Sequence, residues 1–182
     1  MPRLSIEEKE QIKNLSQSEL QQIVLKIMAK NQSVYDIVLM NYLDNESGEE
    51  VLYEKTKMDL DTLIYKNYKG FAEQLRLVKM LATCIKRINE FTNISKNKVL
   101  EADLLVYILE VPFSLSTNLF GTCFTQYDSK VGQIVKRLIT VVTKKLHEDY
   151  RIEYVQKING YLKILHRTSN HINIIYGLPK TI

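Results

Sequence analysis

The side chains with the clearest chemical use are five basic residues in the last third of the chain. Four of them recur at intervals of seven residues and one adjoins them: Lys130, Lys136, Arg137, Lys144 and Arg151. Because a helix turns by about 100° per residue, side chains seven apart drift slowly around it and form one stripe. Residues 130–167 hold nine Lys and Arg against three acids, a net charge of +6. Such a stripe suits a phosphate backbone or an acidic protein surface.

A solvated helix face explains the same basic spacing, and we favour that explanation. Residues 1–60 hold 7 Lys and Arg against 11 acids, whereas residues 61–182 hold 18 against 10, so the two parts carry opposite net charge. Pairing between them is therefore a further alternative. The stripe also lacks the interleaved aromatic residues on which bases stack. Nucleic-acid binding is the second hypothesis.

Other reactive groups do not form a recognisable pattern. None of the three histidines (His147, His166, His171) has the spacing of a helical zinc site, and the chain has no Cys-x-x-Cys. Clustered glycines for a phosphate loop and a Gly-x-Ser-x-Gly elbow are also missing from the sequence. We therefore expect no catalytic residues, no cofactor and no metal; an enzyme whose site is assembled from distant residues is the third hypothesis.

Composition favours long helices joined by few turns. The 182 residues are 45% hydrophobic and 25% charged, with only 6 Gly and 3 Pro. Apolar spacing of three and four runs through nearly the whole chain. We predict one all-α domain over 1–182, with about seven to nine helices in antiparallel hairpins. These would pack as a bundle or an irregular HEAT-like array, with an N-terminal helical subdomain at 1–45 as the alternative division.

Two capping boxes predict the first helices, because Ser5 and Ser16 each precede a Glu by three residues. The second helix should turn one apolar face inward: Leu20, Ile23, Val24, Ile27 and Met28. Ser33 is expected to cap a third helix whose apolar residues also face inward: Val34, Ile37, Val38 and Leu43. A loop is predicted from Asp44 to Gly48.

The remaining helices are predicted at 49–68, 71–92, 96–110, 129–148 and 152–167. Gly70 and Pro112 supply two of the breaks. The stretch 112–128 reads as irregular and contains Phe113, Phe120 and Phe124. The tail 172–178 reads as β-prone or extended, and it either packs on the body or adds to a partner. These two segments are the expected contact elements for a partner.

Two segments resemble a bacterial all-helical family catalogued as a domain of unknown function. One is the Leu-Ser-x-x-Glu-Leu step within Leu15–Val24. The other is Leu104–Glu110, followed by a loop with Phe and Gly at 113–124 and a long helix. The resemblance implies an all-helical fold and transfers no catalytic residues. Enrichment in Ile, Lys, Asn and Tyr suits an AT-rich bacterial genome.

Location and partners follow from what the chain lacks. Its longest apolar runs fall short of the ~18–20 residues of a membrane span, and its acidic start is unlike a signal peptide. We expect a cytoplasmic protein with no membrane partner and with Cys84 and Cys123 reduced. Our leading functional hypothesis is a helical scaffold or adaptor that binds another protein without catalysis.

Overall fold

The computed structural model describes residues 4–43 and 47–182, and 79% of the protein is helical. Within those two ranges there are nine α-helices and no strand, which confirms the all-α prediction. Asp44, Asn45 and Glu46, which belong to a predicted loop, lie outside the described residues. In chain order the helices are α1 (Ile6–Lys13), α2 (Gln17–Lys30), α3 (Gln32–Val38), α4 (Gly48–Ile64), α5 (Glu73–Ile94), α6 (Lys98–Ser114), α7 (Thr125–Lys145), α8 (Glu148–Thr168) and α9 (Ile172–Ile175).

The chain forms two compact units, which we call unit 1 (residues 1–49) and unit 2 (residues 50–182). Unit 1 contains α1, α2 and α3, followed by a π-helical turn at Leu39–Leu43. Unit 2 contains the remaining helices from Glu50 of α4 onward, together with a short 3₁₀ turn at Thr117–Leu119.

Side-chain caps set the helix starts of unit 1. The Ser5 hydroxyl accepts the Glu8 N–H at 3.1 Å while the Glu8 carboxylate accepts the Ser5 N–H at 2.7 Å. Ser16 and Glu19 form the same reciprocal pair, so both predicted capping boxes are confirmed. The predicted cap of the third helix is wrong. Asn31 is the N-cap instead. Its side-chain oxygen accepts the backbone N–H groups of Ser33 and Val34 at 3.1 and 3.3 Å.

The core of unit 2 is built around α7, which packs against α5, α6, α8 and α9. The apolar spacing of three and four predicted inward faces on these helices, and buried side chains confirm them in large part, whereas Phe71, which the same spacing placed on the α5 face, is exposed. The confirmed residues include Leu81, Cys84 and Ile88 of α5, Val131, Val135 and Leu138 of α7, and Ile158, Leu162 and Leu165 of α8. Helix α6 is buried on several sides, through Leu104, Leu105, Val106, Ile108 and Leu109.

Pro112 does not stop α6, contrary to the prediction. The helix continues to Ser114 and encloses the proline in its last turn. A proline cannot donate to the carbonyl four residues earlier, here that of Ile108. Because Pro112 lies in the last turn of α6, few helical hydrogen bonds follow the missing one. Burial of the Pro112 side chain in the core also favours the longer helix.

Candidate functional site

Unit 1 presents an apolar groove between α2 and the segment that ends α3. Its volume is about 510 Å³. Helix α2 supplies one wall, and Val38 and Leu43 supply the other. The apolar residues of the α2 wall are Leu20, Val24, Leu25 and Met28.

The apolar face of α2 is exposed, so its predicted inward orientation is wrong. Ile23, Val24 and Ile27 keep 42%, 43% and 44% of their surface accessible, and α2 has no buried residue. Tyr35 and Ile37 of α3 are likewise exposed. Periodicity of three and four shows only that side chains share a face; it does not identify what covers that face.

Burial in unit 1 differs in kind from burial in unit 2. Over residues 4–43 and 47–49, no apolar side chain is buried. The side chain that is buried there belongs to Asp36, whose carboxylate accepts a hydrogen bond from the Gln32 amide at 2.8 Å. Helical units normally gain their stability by burying an apolar face. Unit 1 therefore has no apolar core within its described residues.

The lengths of α2 and α3 in the structure account for part of this exposure. Helix α2 has 14 residues, whereas α3, which packs against it, has 7. At about 1.5 Å per residue, the shorter helix covers roughly half the length of the longer one. The apolar residues of α2 also occupy a wide arc, wider than one short neighbour can cover.

The predicted basic stripe is divided between two helices. Lys130, Arg137 and Lys144 lie on α7, while Arg151 lies on α8, beyond the chain reversal at Leu146 and His147. Lys136 and Lys144 are exposed, whereas Lys130, Arg137 and Arg151 are half-buried. The predicted stripe therefore lies on one helix only from Lys130 to Lys144.

Arg137 is committed to an internal network with the buried Glu101. Its Nε and Nη2 donate to Glu101 Oε1 at 3.1 and 2.7 Å, and its Nη1 donates to Asn89 Oδ1 at 2.6 Å. Lys98 Nζ donates to the other oxygen of Glu101 at 2.6 Å. Burial favours the neutral acid, but the hydrogen bonds from Lys98 and Arg137 outweigh it and lower the pKa of Glu101.

Arg151 also has a structural partner. Its Nε donates to the carbonyl oxygen of Leu146 at 3.1 Å, at the C-terminal end of α7. A cation at that position satisfies a carbonyl that the helix leaves free and interacts well with the helix dipole. Two of the five predicted binding residues therefore hold the fold together.

Tyrosine–carboxylate pairs connect α6 to its neighbours. Tyr107 donates to Asp61 of α4, and this hydrogen bond raises the pKa of Tyr107 to about 12. Tyr154 of α8 donates to Asp103 at 2.6 Å, and burial together with that bond raises its pKa. A tyrosine with a raised pKa stays neutral near pH 7, so these groups act as hydrogen-bond donors between helices.

A polar cluster joins the start of α7 to the end of α8. The buried carboxylate of Asp128 accepts the Ser169 hydroxyl at 2.6 Å and the Gly121 N–H at 3.0 Å. His171 donates its backbone N–H to the same serine oxygen at 3.2 Å. The serine hydroxyl is thus bound to a carboxylate and not to the histidine ring, which is not the arrangement of an activated nucleophile.

The possible metal ligands and the two cysteines are the remaining reactive side chains. Across the described ranges, no group of three or more His, Cys, Asp and Glu side chains could hold a metal ion. Cys84 and Cys123 are free thiols. Burial raises the pKa of Cys84 to about 12, so its reactive thiolate is scarce.

The aromatic loop and the tail, both expected to contact a partner, pack within the chain. Phe113 stacks between Phe120 and Tyr161, with ring centroids 5.6 and 4.2 Å away. The first residues of the tail form α9, so its predicted β-prone character is wrong, but α9 packs on α7, which confirms the alternative that the tail packs on the body. Ile174 lies directly over Gly132, where an added Cβ would approach it to 2.1 Å.

Comparison of the chain with protein-family models, with curated proteins and with solved structures finds no match. The resemblance to a bacterial helical family stays a prediction. Among the described residues, none of the helices combines the length and the hydrophobicity of a membrane span.

Proposed function

We propose that this chain is a non-catalytic helical protein that binds another protein through the exposed apolar face of α2 and α3. The observation that carries the proposal is that unit 1, over its described residues, buries no apolar side chain. Covering Ile23, Val24 and Ile27 in an interface removes apolar surface from water, which is the main driving force of association. Unit 2, with a packed core, serves as the rigid body that carries this element.

A residue-specific crosslinking experiment tests this function. A photoreactive phenylalanine analogue replaces Ile23 on the apolar face, and a matched variant replaces Gln22, which lies about 100° around the helix from Ile23, on the side away from the groove. Both positions are exposed, so they differ in face and not in access. We expect irradiation in the native host to give a discrete protein adduct from position 23 and none from position 22. Equal labelling at both positions, or none at either, would refute the proposal.

Nucleic-acid binding is the alternative, through the other three of the five predicted basic residues: Lys130, Lys136 and Lys144. Lys136 and Lys144 are exposed on α7, which is the observation in its favour. Binding through phosphates weakens steeply as salt rises. Filter binding of a duplex at 50 and 200 mM salt therefore tests it. The absence of binding at the lower salt concentration would exclude this alternative.

A further inference from the structure

We propose that the partner of the α2 face is a second copy of this chain, paired through α2 in antiparallel orientation. In this dimer Glu19 of each copy lies beside the Lys26–Lys30 end of the other. The inference rests on the proposed function, to which it adds the identity of the partner. It comes from the distribution of charge beside the exposed apolar strip.

The first step is the position of the strip on α2. At about 100° per residue, Leu20, Ile23 and Ile27 fall within an arc of roughly 60°. These residues recur with the spacing of the apolar seam in paired helices. Val24 lies at the margin of the same arc, toward the groove. The strip is therefore continuous along most of the helix, and its exposed residues are available to a second helix.

The second step is that all three charges of α2 lie along one edge of that strip. Glu19 is at the N-terminal end of this edge, and Lys26 and Lys30 are at the C-terminal end. The three side chains are exposed. The other edge carries Gln17 and Gln21 and has no charge. The charge pattern is thus asymmetric both around the helix and along it.

The third step is the symmetry of a two-fold dimer. When two identical helices pair antiparallel, like edges lie on the same side of the interface and run in opposite directions. Glu19 of each copy then lies beside Lys26 and Lys30 of the other copy, so the dimer contains two such contacts. In a parallel pair each charged edge would face the uncharged edge, so its charges would find no partner. Charge complementarity therefore selects a second copy, in one orientation.

The experiment compares oligomeric state across charge variants of α2. Light scattering after size exclusion, over a dilution series, should give twice the chain mass of 21.3 kDa for the native protein. Glu19→Lys makes the whole edge basic, and Lys26→Glu with Lys30→Glu makes it acidic. Each change should weaken self-association by at least about tenfold at low salt, and less at high salt. An equimolar mixture of the two variants should restore a dimer.

Two controls separate charge from folding. Glu19 also closes the capping box through Oε2, and glutamine preserves such a cap, so Glu19→Gln should dimerise more strongly than Glu19→Lys. The variant with both Lys26→Glu and Lys30→Glu leaves the cap intact and should show the same loss of self-association. Ser18→Glu, which lies about 170° around the helix from the centre of the strip, should leave the dimer unchanged.

The outcomes also separate this inference from the function on which it rests. A native protein that stays monomeric over the whole series, or a dimer insensitive to both charge variants, overturns the antiparallel pair. If position 23 then crosslinks to a different protein, binding through α2 survives and only the identity of the partner is wrong. If position 23 gives no adduct, both proposals fail. Restoration of the dimer in the mixed sample supports both.

Discussion

Replacement of Arg137 by alanine should destabilise unit 2, because the structure makes this residue a partner of a buried carboxylate. Arg137 donates two hydrogen bonds to Glu101 and one to Asn89. The Glu101 side chain is 6% exposed, whereas that of Arg137 is 28% exposed. Truncation therefore leaves the more buried member of the pair without its main partner.

The magnitude follows from the environment of Glu101. Removal of one member of a buried pair costs about 3–5 kcal/mol when the remaining charge has no other partner. Here Lys98 still donates to the carboxylate at 2.6 Å, and Arg137 itself is partly solvated. Both factors reduce the effect, and we expect a loss of about 2 kcal/mol in the free energy of unfolding.

The effect should also depend on pH in a defined direction. The pKa of Glu101 is lowered in the folded protein, from a value of 4.5 for the unperturbed group. Its ionised form therefore contributes stability that is fully present above the unfolded pKa. That contribution is lost as the pH falls through the lower folded pKa. The difference between native protein and variant should be largest near neutral pH and should shrink toward pH 3.

Urea unfolding followed by circular dichroism measures this difference, with Lys144→Ala as the control on the same helix. Lys144 is exposed, so its removal should change stability by less than about 0.5 kcal/mol. Equal stability of the two variants at neutral pH would refute the structural role of Arg137. So would a difference between native protein and variant that grows as the pH falls.

Three further predictions concern local features. Gly121→Ala should lower stability by about 2 kcal/mol or more in thermal unfolding, because Gly121 has φ +68° and an added Cβ would lie 2.2 Å from the Thr168 carbonyl oxygen; an unchanged midpoint would contradict this. Asn31→Ala should weaken the start of α3 by about 1 kcal/mol, seen as lost helical signal and faster amide exchange in α3, and unchanged exchange would refute the cap. Alkylation of the folded protein, read by mass spectrometry, should modify Cys123, which is exposed, well before Cys84, which is buried with its pKa raised to about 12; equal rates would be inconsistent with this burial.

The contrast between the two units guides where function should be sought. In unit 2, Arg137, Arg151 and Phe113 each have a partner inside the chain. In unit 1 the apolar residues of α2 are exposed instead. Exposed contiguous apolar surface marks interaction sites more often than charged side chains that already have partners. Experiments on binding should therefore begin with α2.

Most of the helices follow from local sequence, since their signals lie within a few residues. The Ser5 and Ser16 capping boxes predicted two helix starts, and spacing of three and four predicted the buried faces of α5, α7 and α8. Two predictions made from local sequence rules were wrong. Ser33 was the wrong cap because Asn31 offers a better-placed oxygen, and Pro112 lies inside a helix whose last turn tolerates it.

By itself, the sequence determined the helical class, the caps and which side chains share a face, because these depend on neighbours within one or two turns. Only the tertiary structure decided which faces are covered. The same periodicity produced a buried stripe on α7 and an exposed one on α2. It also decided that Arg137 is the partner of the buried Glu101, because Glu101 lies 36 residues before Arg137 and only packing brings them together. Burial depends on elements distant in the chain, which local spacing does not encode.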